Sequence, residues 1–536
     1  MTQSPDPSQG TPVDETASEL AAARRGSAIE ASLNAALIVG SGFAASKVLG
    51  LLRNVVIGNQ YGASHEYEMF LAALTVPDTL FQILAGGAVG SAFIPVFTGY
   101  LAGGDRASAW RLTSSLATLA VIGLGLAGVL LGFAAPLLIA AIVPGWNSAD
   151  QERTTNLVRI MLASPAIFAL STLATSTLNG LNRFALAAAA PLVYNLSLCA
   201  GAIFLRPWGV EGLALSAVAG ALLHLLVQIP GLIAVGLRFA PTLGIRLDGT
   251  REVLALMIPR MAGLGISQVN QVITVALASF LGEGSIAYLS YAWLILMVPL
   301  GVAAMGIATA LFPSLSRDMA AGRADDARGT FRLGLGLVLA ISLLSTLGLV
   351  ILGPSLVGIL FGRGAFGAEA VAATAFALGW YALGLAGHGT IEMVSRGFYA
   401  IRDTATPVRA AAMGASINIG LSLVLMRTPL SYGGLALANG IAALCEASLL
   451  VVLLHHRLGW VGRSAISQFT RALLPVGLAF GLGCLIGRAA VTHYLSPDIW
   501  PGQLAIVTSG AALGLALAAA TYLSQGGLNK DFWRLT

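Results

Sequence analysis

Charged residues are scarce in this sequence. They occupy 10% of its 536 positions, whereas soluble globular domains contain about 25%. The mean hydropathy is correspondingly high, at +0.83. Water cannot be the main solvent of such a chain, so a soluble globular fold is excluded.

Cysteines and catalytic motifs are also scarce. Cys199, Cys445 and Cys484 stand singly in apolar runs, which excludes a disulfide framework and predicts no metal site. Nucleotide-binding loops of the GxxxxGKS or GxxxxGKT kind and HExxH motifs do not occur. We therefore expect a protein that is not an enzyme and needs no cofactor. Membrane potential, a monovalent cation gradient or a substrate gradient would then drive its activity.

The start of the chain lacks the basic and apolar segments of a cleaved signal peptide. Residues 1–33 are rich in Pro, Ser, Asp and Glu and predict a disordered cytoplasmic tail, and 525–536 predict a second tail. The net charge of +5 arises in short loops between apolar runs, so no nucleic-acid partner is expected.

Apolar runs recur along the rest of the chain, each long enough to cross about 30 Å of hydrocarbon as a helix. Runs such as 112–142 are apolar on every face, unlike the strands of a transmembrane barrel. The sequence thus predicts an all-α polytopic membrane protein with about fourteen transmembrane helices. These begin near Asn34, Met69, Leu112, Asn156, Phe184, Val210, Val253, Ile286, Leu333, Val371, Pro407, Leu435, Ala465 and Leu504.

Arginines indicate the orientation of these spans. The loops on one side hold only a few of them: Arg153, Arg206, Arg363, Arg427 and Arg488. By the positive-inside rule these loops are external, and both termini are cytoplasmic.

The sequence partly repeats itself at a shift of 222 residues. Val76-Pro77 recurs as Val298-Pro299, and Gly-Leu-Ala-Leu at 212–215 recurs at 434–437. Because the shift corresponds to six spans, an even number, the halves would be related by a pseudo-two-fold axis along the membrane normal. We expect an N-lobe at 34–238, a C-lobe at 239–457 and two further helices at 458–524, with the substrate between the lobes.

A few ionisable side chains fall inside predicted spans, where each costs about 2.5–3.5 kcal/mol on insertion scales. On the first span, Lys47 and Arg53 can share one broad face with Ser46 and Asn54. The seventh span carries a second polar stripe, formed by Arg260, Ser267, Gln268, Asn270 and Gln271. Facing each other, these helices would line a hydrated cationic cavity suited to phosphate oxygens.

Other charged residues have simpler interpretations. Snorkelling or loop anchoring explains Arg159 and Arg396 better than ligand binding does. Glu392 and Glu446 fit a proton or cation site and a structural role equally well.

Longer motifs resemble a known family. The stretches LFGRGAF at 360–366 and SRGFYAIRDTATPVR at 395–409 are similar to the signature of the MurJ (MviN) family. Its members are the lipid II flippases of the multidrug/oligosaccharidyl-lipid/polysaccharide (MOP) exporter superfamily. Residues 46–53, 91–95 and 311–316 resemble the family's first, second and eighth helices.

The resemblance implies two lobes around a cationic cavity for the pyrophosphate and sugar head, with a groove at 458–524 for the polyprenyl tail. It implies Ser46, Lys47 and Arg53 as head-group ligands, and Glu68 stands where the family often has aspartate. To these we add Asn54, Arg260 and Gln268 from the two polar stripes. The longer motif contributes a second set as gating or signature residues: Arg396, Arg402, Asp403 and Pro407.

This chain also departs from the family. Phe81 and Leu294 occupy positions where well-known members carry cavity arginines, and Gly86 occupies an acidic position. Arg260, where those members have a small residue, would restore one cation.

The expected activity is therefore the outward flipping of lipid II, a polyprenyl-pyrophosphate-linked glycopeptide, across the bacterial cytoplasmic membrane by alternating access. Expected partners are this lipid, other membrane lipids and proteins of cell-wall synthesis. Two alternatives stay open: export of another polyprenyl-linked glycan, and a non-transporting scaffold for cell-wall synthesis. A drug exporter is disfavoured because it should have acidic rather than basic cavity residues.

Overall fold

The computed structural model describes residues 44–84, 88–497 and 499–524. Within these ranges the chain is almost entirely helical and forms no strand, which confirms the predicted all-α fold class. The two predicted tails and Gly86 lie outside the described residues.

The helices follow one another through short loops. In chain order they are α1 (44–61), α2 (His65–Leu84), α3 (Ala88–Ala102), α4 (Arg106–Ile142), α5 (Ser148–Met161), α6 (Ser164–Gly180), α7 (Phe184–Phe204), α8 (Gly209–Leu226), α9 (Ile229–Ala234), α10 (Asp248–Ala278), α11 (Ser285–Pro299), α12 (Gly306–Ala320), α13 (Ala324–Phe361), α14 (Ala368–Ala382), α15 (Leu385–Ala400), α16 (Ala405–Leu425), α17 (Tyr432–Leu458), α18 (Arg463–Tyr494) and α19 (Trp500–Ser524).

Many of these helices are long and apolar enough to cross a membrane. Within the described ranges there are nine such spans, among them the joined helices α5–α6 and α8–α9, and ten if α14–α15, bent by 45°, counts as one. The chain is thus a multi-pass membrane protein, while the total of fourteen spans stays a prediction.

Several spans are broken. Pro165 lies in the first turn of α6, where its missing N–H removes a hydrogen bond that would otherwise continue α5 into α6. Between α14 and α15, a Cβ on Gly384 would clash with Gly440 of α17, so the bend lies at a close helix crossing. A π-helical turn, Leu300–Met305, separates α11 from α12.

The helix order of the first half recurs in the second half. Helices α4 to α7 contain 37, 14, 17 and 21 residues, and α13 to α16 contain 38, 15, 16 and 21. The two copies of the Gly-Leu-Ala-Leu motif, at 212–215 and 434–437, also pack in the same way. A Cβ on Gly212 would clash with the Leu205 carbonyl oxygen, and a Cβ on Gly434 with the Leu425 carbonyl oxygen. The repeat is present in the structure, while the lobe boundaries at 34–238 and 239–457 stay predictions.

The last two helices pack closely together and onto α13. A Cβ on Gly483 of α18 would clash with the backbone of Gly514 on α19, which shows how near the two axes lie. A small apolar core joins the three helices: Leu352, Phe480, Cys484, Ile506 and Ala518. The opposite face of α18 exposes large apolar side chains, among them Leu474, Leu478, Leu482 and Leu485. That this pair forms a lipid-tail groove stays a prediction.

Candidate functional site

Arg53 is half-buried on α1 and retains donor capacity. Its Nη2 donates only a long hydrogen bond, of 3.5 Å, to Asn54 Oδ1, and Asn54 Nδ2 donates to Gly50 O at 2.9 Å. The Nε of Arg53 is buried and has no hydrogen-bond partner in the described part of the chain. Because an unpaired buried donor costs about 1–3 kcal/mol, this guanidinium is suited to a ligand that supplies anionic oxygens.

The neighbours of Arg53 come from α2 and α7. The guanidinium interacts electrostatically with Tyr67 on α2 and Tyr194 on α7. Asp78, exposed on α2, also interacts with Tyr194. The contribution of α7 was not predicted, because Tyr194 is uncharged and lies in an apolar run.

Ser46 and Lys47 precede Arg53 on the same helix. Ser46 is partly exposed and Lys47 is exposed. At about 1.5 Å rise per residue, the three side chains span roughly 10 Å of α1. The residues predicted as head-group ligands therefore occupy one stretch of one helix.

The predicted polar stripe of the seventh span, α10, is divided in the structure. Asn270 Oδ1 accepts a hydrogen bond of 2.9 Å from Asn418 Nδ2, so this residue joins α10 to α16 of its own half. Gln268 is partly exposed. The side chains of Arg260 and Ser267 lie outside the described part of the structure. That the stripe faces a shared cavity stays a prediction.

Glu68 joins the two halves at the arginine-poor ends of the helices, called the outer ends below. Its side chain is 1% exposed, and its Oε1 accepts a hydrogen bond of 2.7 Å from the Ile286 backbone N–H, in the first turn of α11. A carboxylate at a helix N-terminus satisfies free N–H groups and interacts favourably with the helix dipole. In this conformation Glu68 holds the halves together and offers no surface to a head group.

His65 supports Glu68 from the outer end of α2. His65 Nδ1 lies 3.3 Å from Glu68 Oε2, and Nε2 lies 2.9 Å from Asp150 Oδ2 at the start of α5. The hydrogen bond with Glu68, followed by that with Asp150, raises the pKa of His65 to about 9 although burial opposes the change. His65 is therefore a cation between two carboxylates at neutral pH.

Further contacts close the outer ends. The Tyr291 hydroxyl donates to Gly62 O at 3.2 Å, and the Ala365 N–H donates to Asn59 O at 2.9 Å. The rings of Tyr67 and Tyr291 stack with their centroids 5.5 Å apart. Each contact joins a residue between 59 and 67, in α1, α2 or the turn between them, to the second half, so the outer side is shut.

At the inner ends, α10 contacts the first half. Val253 is buried in an apolar cluster that includes Phe93, Phe97 and Trp110. Residues 235–247, here called the linker, run along α4, where Ser115 Oγ donates to Leu243 O at 2.9 Å. The halves are thus in contact at both membrane faces.

The second-half signature motif connects helix ends. Asp403 Oδ1 accepts hydrogen bonds from the N–H groups of Ala405 (3.1 Å) and Thr406 (3.0 Å) at the start of α16, and Arg457 Nη1 lies 2.6 Å from its Oδ2. The Thr406 bonds and the nearby Arg457 lower the pKa of Asp403. Pro407 is buried in the first turn of α16, where its missing N–H costs no hydrogen bond. The motif fastens α16 to α17.

The arginines of this motif have local roles. Arg396 Nη2 lies 3.5 Å from Glu392 Oε2 one turn earlier, and its guanidinium lies 5.8 Å from the centre of the Tyr399 ring. Arg402 has a positive φ of 62° in the turn after α15. Arg159 donates to Gly132 O at 3.2 Å. These contacts agree with the anchoring interpretation of Arg396 and Arg159.

The two apolar replacements pack as ordinary core residues. Phe81 contacts Phe168 of α6, with ring centroids 5.5 Å apart. Leu294 is partly buried against the main apolar core. Neither position contributes a cation to the space between the halves.

Comparisons with known proteins agree with this architecture. A sequence model of the family described as lipid II flippase MurJ matches residues 57–500. A probable lipid II flippase MurJ from Vibrio cholerae is 32% identical over 440 residues, which cover 79% of this chain and 83% of that protein.

Solved structures show the same fold. A lipid II flippase MurJ in an inward closed conformation aligns with a TM-score of 0.76 at 22% identity, over 91% of this chain and 99% of that one. An inward-facing multidrug resistance MATE family transporter of the MOP superfamily aligns at 0.67 and 16% identity, over 76% and 94%. Because the family match covers most of the sequence, the chain belongs to the lipid II flippase MurJ family.

Proposed function

We propose that this protein moves lipid II outward across the bacterial cytoplasmic membrane, with both chain termini in the cytoplasm. The observation that carries the proposal is Arg53, a half-buried guanidinium with an unpaired Nε inside the membrane domain. Keeping such a cation in a membrane is costly unless it has a function. A pyrophosphate would supply the missing acceptors.

In this proposal, α1 presents the binding side chains to the head group. Arg53 binds phosphate oxygens bidentately, Lys47 adds a second positive charge, and Ser46 and Asn54 donate hydrogen bonds to the same group. Arg260 and Gln268 of α10 approach from the other half. The polyprenyl tail stays in the membrane near α18 and α19.

Outward release requires the outer contacts to break. The Glu68 carboxylate must leave the N-terminus of α11, and the hydrogen bond between Asn59 and Ala365 must open. Each contact is modest, at about 0.5–1.5 kcal/mol for a neutral hydrogen bond and more for the carboxylate, so rocking of the halves can open them. Membrane potential or a monovalent cation would bias this movement.

The test is a pair of alanine variants. Arg53→Ala should abolish growth of a strain depleted of its own flippase and should abolish lipid II flipping in proteoliposomes. Arg159→Ala removes another arginine of the membrane domain, one that bonds to a backbone carbonyl, and should retain activity. Full flipping by Arg53→Ala at normal membrane levels would contradict the proposed site.

A second candidate substrate is another polyprenyl-linked glycan. The apolar packing of Phe81 and Leu294, where other family members carry cavity arginines, is the observation that favours it. Flipping assays that compare lipid II with a polyprenyl-pyrophosphate carrying a different glycan separate the two. Transport of only the second lipid would refute lipid II as the substrate.

A further inference from the structure

A basic cavity lies at the inner ends of the helices, apart from Arg53 and its neighbours. Its volume is about 250 Å³, slightly below the range of about 300–1,000 Å³ typical of small-molecule pockets. It opens between the end of α3, the start of α4 and the start of α10. The polar side chains that line it are Tyr100, Ser108, Arg111, Arg246, Asp248 and Thr250.

The charges of this cavity are incompletely paired. Both arginines, Arg111 and Arg246, are exposed, and within the described residues neither has an ion-pair partner within 4 Å. Arg111 Nη2 donates to Ser108 Oγ at 2.9 Å, and its charge also acts on the exposed Asp105. Asp248 is the one carboxylate of the lining and lies in the first turn of α10, where a negative charge is favourable. Arg111 lies on α4 and Arg246 lies at the end of the linker beside α10, so an anion between them would contact both segments.

The linker beside the cavity has the composition of a membrane-interface segment. Phe239, Leu243 and Ile245 are 55%, 52% and 52% exposed, and Arg238 and Arg246 flank this stretch. Exposed apolar side chains next to arginines are typical of segments that lie at the level of lipid head groups. Acyl chains of the inner leaflet would cover these residues.

The linker is also fastened to the first half. Ser114 Oγ accepts a hydrogen bond of 3.2 Å from the Ala240 N–H, and Thr250 Oγ1 donates to Ser115 Oγ at 3.3 Å. A ligand in the cavity would therefore lie where α4, the linker and α10 meet. By contacting both halves there, it would stabilise the inner contact.

We propose that this cavity binds the phosphate head group of an anionic phospholipid of the inner leaflet, and that the bound lipid braces the inner junction of the two halves. Arg111 and Arg246 pair with the phosphate, while Phe239, Leu243 and Ile245 contact the acyl chains. The inference does not depend on which lipid-linked substrate is moved. The cavity is also a different site from Arg53, which lies on α1.

The test measures lipid binding to the purified full-length protein by native mass spectrometry, with phosphatidylglycerol titrated in neutral detergent. Arg111→Gln/Arg246→Gln removes both cavity arginines. Arg106→Gln/Arg251→Gln removes the same charge from α4 and α10, at positions that are exposed like the cavity arginines but do not line the cavity. At about 1 kcal/mol per basic residue, the cavity variant should bind at least about tenfold more weakly, and the control variant should match wild type.

Several outcomes would overturn the proposal. Unchanged phosphatidylglycerol affinity in the cavity variant, or an equal loss in the control, would show that binding follows surface charge alone. Glycerol phosphate that competes as well as the lipid would assign the cavity to a soluble phosphate. Should the glutamine variant misfold, Arg111→Lys/Arg246→Lys keeps the charge, loses bidentate geometry and should bind with intermediate affinity.

Discussion

At the residue scale, Glu68 is a buried carboxylate that stabilises one conformation of the protein instead of binding a ligand. From the sequence alone it is an acidic residue at the start of a span, and the sequence predicts it among the substrate ligands. In the structure it contacts the backbone of Ile286, 218 residues further along the chain. A contact between residues so far apart in the chain produces no periodic pattern in the sequence, so it can be recognised only in the folded structure.

The histidine beside Glu68 leads to a pH prediction. The pKa of His65 is raised from 6.5 to about 9, so the protonated form is the one that the folded state favours. Its contribution to stability is fully present below about pH 6.5 and is lost as pH rises through about 9. We expect this contribution to be roughly 1–3 kcal/mol.

Thermal unfolding of purified protein across this pH range tests that contribution. His65→Gln should be less stable than wild type at pH 6.5, and the difference should shrink toward zero above about pH 9. His493→Gln, at an exposed position near the end of α18, is the matched control and should show no such pH-dependent difference. A stability difference that stays constant with pH would contradict the ion-pair account of His65.

At the element scale, Gly212 and Gly434 occupy equivalent places in the two halves, so we expect substitution of either one to lower thermal stability equally. Gly212→Ala and Gly434→Ala each place a methyl group against the end of the preceding helix. Overpacking of this kind costs about 1–3 kcal/mol, so both variants should unfold at lower temperature by similar amounts.

The control for these variants is Gly420→Ala in α16. A Cβ at this position would meet nothing within 4 Å, so the variant should be neutral or slightly more stable. A lower unfolding temperature in only one of Gly212→Ala and Gly434→Ala would show that the two halves do not pack in the same way.

The helices themselves were largely predictable, because apolar length and basic loops are direct consequences of the membrane as solvent. The bends were not. Hydropathy indicates one continuous apolar run at 368–400, whereas in the structure the helix axis bends by 45° between α14 and α15. That bend coincides with the close approach of Gly384 to Gly440, a tertiary contact that hydropathy does not indicate.

At the scale of the whole molecule, the site was predictable only in part. The cationic character of α1 followed from charges that an apolar span does not tolerate without a reason. Tyr194 and the outer closure could not be predicted, since they depend on contacts between helices that are distant in sequence. A protein that shuts its outer side through Glu68, Asn59 and Tyr291 must break all of these contacts in each transport cycle.

Covalent closure of the outer side should therefore stop transport. The Ala365 N–H and Asn59 O are 2.9 Å apart across the halves, which places these residues within reach of a short thiol crosslinker. In a background without the three native cysteines, we expect crosslinked Asn59→Cys/Ala365→Cys to lose flipping and to regain it after reduction. Arg153→Cys/Glu211→Cys joins α5 and α8 within the first half and should remain active when crosslinked. Growth supported by the fully crosslinked Asn59 and Ala365 pair would instead favour the scaffold role, because a scaffold has no need to open.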